Sequence, residues 1–422
     1  MCCHITCLIY NFVGFLTGNE MSIAPTQVTL YDKPHQFEPL VPRLDLTELV
    51  QRTRGVVEAS YRLQGVHVAT RASLRELVRA MNSYYSNLIE GQGTHPANIA
   101  RALKQDFSEK PDIAQRQRIA VAHIDAEREL EAAHAPEAQV LTSAFLQRAH
   151  GSLNGRLAPA DRMSPNKRVI QPGTLRQEDV TVGRHHPPGY ASVPALLARA
   201  DDVYGQATGF DSLLYTIAAA HHRFAWVHPF LDGNGRACRL QTHCALLPLS
   251  DGLWSVNRGL ARQRARYYEL LANADMPRHG DLDGRGNLSE KMLRAWCEFF
   301  IEVCEDQVQF MGQMLELDDL KKRLAALVTV RREPISSLVY RKEIVLPLHH
   351  IIVAGPISRA EFTQMTGLGE RTVRDIMRDL LKAGLLTSDS HRGPLSIAFP
   401  LDSLDLLFPR LYPEAAGAPP VD

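Results

Sequence analysis

The sequence predicts a mainly α-helical fold that ends in a helix-turn-helix segment with a two-stranded wing. Apolar residues recur every three or four positions, as in Leu74, Leu77 and Val78, which is the spacing of one helix face. Residues 212–225 are apolar nearly all round, which indicates a buried central helix. β-Branched residues alternate in a short stretch near residue 180, so we also expect a small β-hairpin.

Composition indicates an ordinary soluble globular protein. The chain has 422 residues, of which 45% are hydrophobic and 22% are charged, enough for two or three domains. Because its formal net charge is +0, no global basic field attracts nucleic acid. The seven cysteines lack regular spacing, which argues against a disulfide scaffold and favours a cytoplasmic location, with no membrane partner.

Residues 1–20 form a doubtful N-terminal extension. Their apolar run is too short to span a bilayer and lacks the basic leader of a signal peptide, so we interpret them as an upstream start-codon artefact. The regions predicted after them are an N-terminal helical region at 21–160, a central core at 161–317, a connector at 318–345, a winged-helix domain at 346–410 and a tail at 411–422.

One helix of the N-terminal region runs into Ser86, Glu90 and Gly91. Ser86 and Glu90 are four positions apart, so their side chains lie on the same helix face. Gly91 is suited to end the helix. Taken alone, this pattern is typical of a solvated glutamate near a helix end.

The helical pattern breaks between residues 165 and 188, where prolines and glycines concentrate. Within this stretch, Gly173 to Arg176 and the run Val180, Thr181 and Val182 predict a short hairpin, because β-branched residues flank turn formers. The hairpin can be a plain surface element or a functional one, and the residues leave both alternatives open.

The stretch from His228 to Arg239 concentrates polar and charged groups in one turn. Gly233, Asn234 and Gly235 let the backbone approach a ligand closely. A helix that starts near Arg236 would aim its free N–H groups at an anion. The stretch therefore predicts a phosphate site.

Four side chains of this stretch suit chemistry on a phosphate. Arg236 and Arg239 lie three positions apart and can converge on phosphate oxygens. Asp232 is placed to hold Mg²⁺, which favours carboxylate and phosphate oxygens. His228 has the ordinary pKa that suits proton abstraction near neutral pH. Because the Walker spacing is absent, we predict nucleotidyl or phosphoryl transfer without a P-loop.

These residues resemble the signature of the Fic family, His-x-Phe-x-(Asp/Glu)-Gly-Asn-Gly-Arg-x-x-Arg, at every defined position. The resemblance implies a helical core at 161–317 that transfers AMP from Mg-ATP to Ser, Thr or Tyr hydroxyls of a protein, which can be its own chain. It implies that His228 is the base, that Asp232 holds Mg²⁺, and that Arg236 and Arg239 grip the departing pyrophosphate. Phe230 should anchor the loop.

Two other segments gain a role from the resemblance. Residues 86–91 resemble the inhibitory motif (Ser/Thr)-x-x-x-Glu-(Gly/Asn), which implies that Glu90 pairs with Arg239 and competes with the γ-phosphate of ATP. Residues 173–182 resemble the flap that pairs with the backbone of the target segment.

Tyr267 and Tyr268 resemble the paired tyrosines that help to enclose the nucleotide base in the family. Core packing is the alternative for both rings. Because relatives often dimerise, the resemblance also implies a homodimer.

Residues 346–410 predict a winged helix, with two short helices joined by a glycine turn and followed by a hairpin. Arg371, Arg374 and Arg378 lie opposite the apolar stripe of the second helix, and Arg392 lies in the wing. This row could contact DNA phosphates, although acidic residues interrupt it. A protein-interaction role and a structural role are the alternatives.

Other activities stay open for the whole chain. The Fic family includes enzymes that transfer other phosphate-containing groups or remove AMP from proteins. A non-enzymatic alternative is a DNA-binding regulator whose core senses a nucleotide without turnover. The intact Gly-Asn-Gly-Arg run and the second arginine favour ATP as an AMP donor.

Overall fold

The structure is a computed structural model that describes residues 31–133, 137–183, 185–206, 209–330 and 341–415. The doubtful extension at residues 1–20 lies outside the described residues, as does most of the predicted tail. None of the described helices combines the length and the apolar character needed to cross a membrane.

The predicted mainly α-helical fold is confirmed. Regular β-structure in the described residues amounts to two short strands near the C-terminus. In chain order the elements are α1 (Thr47–Leu63), α2 (Val68–Ile89), α3 (Pro96–Leu103), α4 (Pro111–Ala132), α5 (Glu137–Val140), α6 (Ser143–Gly155), α7 (Val193–Tyr204), α8 (Leu213–Val227), α9 (Asn234–Ser250), α10 (Asn257–Arg262), α11 (Arg264–Asn273), α12 (Glu290–Met314), α13 (Leu317–Val330), α14 (Val345–Ala354), α15 (Arg359–Thr366), α16 (Glu370–Lys382), β1 (Leu386–Thr387), β2 (Ser396–Ile397) and α17 (Leu404–Leu407).

The chain divides into two compact units, each assembled from separate stretches of sequence. The first unit comprises the residues up to Leu49 together with 135–242 and 264–299. The second unit comprises residues 50–134, 243–263 and 300 onward. The linear region boundaries given above stay a prediction.

Helix α8 is the buried centre of the first unit. Its side chains are buried on every face, helix α7 packs against it, and its Ala218 carbonyl accepts the Trp296 indole N–H at 2.7 Å. An all-apolar helix needs such covering on all sides. The predicted central helix is therefore confirmed, and it ends immediately before the His228 motif.

Helix α2 organises the N-terminal part of the second unit. It packs against α4 and α10 and ends at Ile89, with Glu90 as its C-cap residue. Gly91 follows with φ of 73°, a left-handed conformation that glycine adopts without a steric penalty. Gly91 therefore ends the helix as the sequence predicts.

Helices α15 and α16 and strands β1 and β2 follow one another in the order predicted for a winged helix. Ser358 and Glu361 form a capping box at the start of α15. The two strands are antiparallel, with Leu386 opposite Ile397. The order of elements is thus observed, while the identification of a winged helix stays a prediction.

Candidate active site

His228 lies where α8 ends and has a backbone conformation that is rare for a residue with a side chain. Its φ of 49° and ψ of 61° fall in the left-handed region, and its N–H donates to the Phe224 carbonyl at 3.2 Å. The side chain is half-buried. A backbone outlier of this kind persists when the surrounding structure holds it, which is typical of functional sites.

The side chain of Asn234 closes the loop that follows His228. Its Oδ1 accepts the Phe230 N–H at 2.9 Å, and its Nδ2 donates to the Phe230 carbonyl, also at 2.9 Å. Phe230 is fully buried, in agreement with its expected anchoring role. The Asn234 amide thus fixes the loop shape through two hydrogen bonds to a single buried residue.

Gly233 makes the tight turn between this loop and α9. Its φ is 80°, and a Cβ there would meet His150 Nε2 at 3.4 Å and Asn154 Nδ2 at 3.5 Å. Its N–H donates to Asp232 Oδ1 at 2.6 Å. Helix α9 begins at Asn234, two residues before the predicted start, so the N–H groups of its first turn, which point out of the helix end, follow the glycine directly.

His150, a residue of α6, supports the motif loop, and no pattern in the sequence predicted this role. Its Nδ1 accepts the Gly173 N–H at 2.9 Å, and its Nε2 lies 3.0 Å from the Asp232 carbonyl. Its ring stacks on Phe230 with 3.9 Å between ring centroids. Burial, with a smaller contribution from the Arg236 charge, lowers the pKa of His150 to about 4, although the hydrogen bond to Asp232 opposes the shift. The ring is therefore neutral, and Nε2 carries the proton that it donates to Asp232.

Arg176 joins the predicted flap to the motif through backbone carbonyls. The backbone N–H of Arg176 donates to the Pro229 carbonyl at 2.9 Å. In its side chain, Nε donates to the His228 carbonyl at 2.9 Å and Nη1 donates to the Glu178 carbonyl at 3.0 Å. Its Nη2 donates to the Pro188 carbonyl. Arg176 is therefore a buried clamp that fixes the position of His228.

The hairpin predicted between Gly173 to Arg176 and Val180 to Val182 is wrong in its pairing. Within the described part of residues 173–185, the observed backbone pairing is a short antiparallel β-bridge between Val182 and His185. The physical reason is that the backbone N–H of Arg176 donates to the Pro229 carbonyl rather than to a neighbouring strand of the flap. Thr181 and Val182 are exposed and Val180 is half-buried.

His185 ties the end of the flap to the core of the first unit. Its Nε2 lies 2.8 Å from the Trp226 carbonyl and its Nδ1 lies 3.1 Å from Asp275 Oδ2. The other oxygen of Asp275 lies 3.0 Å from His222 Nε2. Although burial works against it, the hydrogen bond to Asp275 raises the pKa of His185 above its ordinary value. The sequence did not reveal Asp275 as the acidic partner of His222.

Tyr267 and Tyr268 occupy different environments on α11. Tyr267 is buried, its hydroxyl lies 3.0 Å from His221 Nε2, and its ring packs against Trp296. Burial, with a smaller contribution from the Arg239 charge, lowers the pKa of His221 to about 3. Tyr268 is half-buried beside Tyr267, so Tyr268 is the better placed of the two to meet a ligand.

The remaining predicted site residues fall in both units. Arg236 and Arg239 are buried side chains of α9 in the first unit. Ser86 is buried and Glu90 is half-buried at the end of α2, in the second unit. The pairing of Glu90 with Arg239 stays a prediction.

The arginines predicted to contact DNA lie on the surface. Arg371, Arg374, Arg378 and Arg392 are exposed, opposite a buried stripe that includes Val373 and Leu380. Arg378 donates to Asp375 at 2.7 Å and to Asp379 at 3.2 Å. Two acidic neighbours therefore offset the charge of Arg378.

Comparison with known proteins identifies a Fic domain. Residues 140–246 match the model of the Fic/DOC family, and this range includes His150, Arg176 and the whole His228 motif. Similar proteins include protein adenylyltransferase Fic of Drosophila willistoni, 32% identical over 109 residues, which is 25% of this chain and 21% of that protein. The corresponding protein of Drosophila mojavensis is 28% identical over 137 residues, 32% of this chain and 26% of that protein.

The chain also matches solved structures of proteins described as Fic proteins. A Fic family protein from Desulfovibrio desulfuricans G20 superposes with a TM-score of 0.48 and 17% identity, over 87% of this chain and 98% of that chain. Fic-1 from C. elegans, residues 134–508, superposes with a TM-score of 0.46 and 19% identity, over 62% of this chain and 71% of that chain.

Proposed function

We propose that this chain, with its Fic domain at residues 140–246, is a protein adenylyltransferase. It transfers AMP from ATP to a Ser, Thr or Tyr hydroxyl of a protein, which can be its own chain. The observation that carries the proposal is the motif loop, complete at every defined position and held by Asn234, Gly233 and His150. The similarity to proteins named protein adenylyltransferase Fic supports it.

His228 acts as the general base in this proposal. As the target oxygen attacks the α-phosphorus of ATP, His228 accepts the hydroxyl proton. The bond from the α-phosphorus to its bridging oxygen breaks, and pyrophosphate leaves. The Arg176 clamp on the His228 carbonyl holds the base in position without using the imidazole.

The start of α9 receives the phosphates. Its first-turn N–H groups and its positive dipole end favour an anion, and Arg236 and Arg239 on the same helix add two guanidinium groups. Asp232 fits a Mg²⁺ ligand because its half-buried carboxylate adjoins this phosphate site. When bound, Mg²⁺ would neutralise phosphate charge.

The flap residues Val180, Thr181 and Val182 dock the target. Exposed extended backbone can pair with a target segment by strand addition, which presents a hydroxyl without demanding much of the target sequence. The clamps at Arg176 and His185 hold the two sides of this short stretch against the core.

The activity is restrained from within by residues 86–91. In this proposal Glu90, at the end of α2, pairs with Arg239 and competes with the γ-phosphate. Ser86 lies one helical turn earlier, and Gly91 ends the helix immediately after Glu90. Removal of the carboxylate should therefore raise the activity.

A second, separate proposal concerns residues 346–410 as a DNA-contacting segment. The observation that favours it is the exposure of Arg371, Arg374 and Arg392. Gel-shift measurements over a range of salt concentrations test it, because phosphate contacts impose a steep salt dependence. Arg371→Ala should weaken binding more than Arg378→Ala, since Arg378 already pairs with acidic neighbours. Equal salt-independent binding would contradict the proposal.

Intact-mass spectrometry of the protein incubated with ATP and Mg²⁺ tests the transferase proposal. We expect a mass gain of one AMP group that increases in Glu90→Gly and disappears in Glu90→Gly combined with His228→Ala. The exposed His391 supplies a matched control, because His391→Ala should leave the gain unchanged. Lack of any gain in Glu90→Gly, with the protein itself and candidate targets present, would contradict AMP transfer. A gain of different mass would indicate another transferred group.

A further inference from the structure

A buried group of two carboxylates and one imidazole lies in the second unit, and its imidazole follows the His228 motif by about one turn of α9. Glu127 and Glu131 come from α4, and His243 comes from α9. One donor atom from each of the three side chains lies within 4.8 Å of the others. None of the three belongs to the proposed AMP-transfer site.

One distance within this group matches the separation of two ligands of one metal ion, and the shorter contact, to Glu131, is a hydrogen bond. His243 Nε2 lies 2.8 Å from Glu131 Oε1 and 3.4 Å from Glu127 Oε1. Two ligands of a tetrahedral ion with bonds of about 2.0 Å lie about 3.3 Å apart. The helical spacing explains the arrangement, because Glu127 and Glu131 are one turn apart on the same face of α4.

Two buried polar atoms, one in this group and one beside it, accept no hydrogen bond from the described part of the chain. One is Glu127 Oε2, in a side chain with no solvent exposure, and the other is Oδ1 of the equally buried Asn82. Native proteins rarely leave a buried carboxylate oxygen in this state, because its desolvation then goes uncompensated. Glu127 Oε1 accepts a hydrogen bond from Asn82 Nδ2 at 2.8 Å, so the carboxylate is already aimed into the group.

The surrounding polar groups suit a resident cation. Arg79 donates to Glu131 Oε2 through Nε at 2.8 Å and through Nη2, which leaves Glu131 Oε1 directed at His243. Asn82 Nδ2 lies 3.4 Å from His243 Nδ1. A metal at His243 Nε2 would replace the proton that this nitrogen shares with Glu131 Oε1.

We propose that Glu127, Glu131 and His243 form a binding site for one divalent transition-metal ion, of which Zn²⁺ is the best match. Mixed carboxylate and imidazole ligands suit Zn²⁺, whereas Mg²⁺ prefers oxygen ligands and retains several waters. His123 Nδ1 lies 3.9 Å from Glu127 Oε2 but outside the three-residue cluster, so the fourth coordination position of the ion is left to water. The ion joins α4 to α9 and stabilises the second unit.

Metal titration of the full chain tests this proposal. After treatment with a chelator, we expect the chain to take up one equivalent of Co²⁺ with visible d–d absorption and no intense thiolate charge-transfer band. One equivalent of Zn²⁺ should displace it. Thiolate absorption would instead assign the ion to cysteines and overturn the site, as would the absence of any bound equivalent.

Variants locate the ion within the chain. His243→Gln and Glu127→Gln should each weaken Co²⁺ binding tenfold or more, while Asp232→Ala, which removes the candidate Mg²⁺ ligand of the motif, should leave it unchanged. Loss of binding in Asp232→Ala alone would overturn the proposal. Because the buried variants can fail to fold, anomalous diffraction from Zn²⁺-loaded wild-type crystals gives an independent answer: an ion between Glu127 and His243 supports the site, and an ion elsewhere overturns it.

Discussion

Two histidines hold the two ends of the flap segment, and their electrostatic environments are opposite. His150 binds the start of the flap, at Gly173, and its hydrogen-bonding partners there and at Asp232 are backbone groups. His185 lies at the end of the flap, where it faces the carboxylate of Asp275. Both rings are largely removed from water, so burial by itself lowers the pKa of each.

The charge of the neighbouring side chain decides whether the pKa of each histidine is lowered or raised. Burial and the Arg236 charge lower the pKa of His150 to about 4 despite its hydrogen bond to the Asp232 carbonyl, whereas the Asp275 carboxylate outweighs burial and raises the pKa of His185 above its ordinary value. One end of the flap therefore needs a neutral imidazole and the other end is strengthened by a charged one. Acid should weaken the first attachment, and alkali should weaken the second.

Removal of the His150 imidazole should give the largest effect. His150→Leu leaves the Gly173 N–H and the Asp232 carbonyl without their present partner, and we expect a loss of about 3 kcal/mol in the free energy of unfolding. Urea unfolding measures it. Because the Asp232 loop would shift, the kcat of AMP transfer should fall more than the affinity for ATP.

His150→Gln is the matched control, because its amide can donate to one backbone group and accept from the other. It should recover much of the stability and of the kcat. A positioning role is contradicted if Leu and Gln variants lose kcat equally while both remain folded.

The neutral state of His150 should appear as an acid sensitivity. Because its folded pKa is about 4 and its ordinary value is about 6.5, the unfolded chain binds the proton first as the pH falls. Stability is thus unaffected above pH 7 and lost between the two pKa values, by about 2 kcal/mol at pH 5. Urea unfolding of wild type and His150→Gln at pH 7.5 and 5 checks this. A stability difference between the two proteins that does not change with pH would contradict it.

Local patterns were sufficient to predict much of the architecture. Helical periodicity predicted the buried helix α8, and the need for a left-handed residue predicted the helix end at Gly91. The motif loop could be predicted because its glycine turn and its ionisable residues are adjacent in sequence. In each case the residues that determine the local structure lie within a few positions of it in the sequence.

The partners of buried polar groups could not be predicted in this way. His150 binds Asp232 across 82 residues, and no periodicity links them. The flap pairing was wrong because the Arg176 N–H finds a better-placed acceptor at Pro229, in a distant segment. Asp275 meets His185 and His222 through tertiary packing alone. Such contacts depend on how helices pack rather than on local spacing.

Neutralising Asp275 should give the smallest effect and should act in the opposite pH direction. A raised pKa means that the His185 contribution is fully present below its ordinary pKa of about 6.5 and is lost as the pH rises through the folded value. Asp275→Asn removes this contribution, so we expect a loss of about 1 kcal/mol at pH 6 that becomes smaller at pH 9. Thermal unfolding at both pH values measures it, with the exposed Asp202→Asn as control. A loss of stability in Asp275→Asn that is larger at pH 9 than at pH 6 would refute the charged state of His185. It would also refute the opposite pH dependence of His150 and His185.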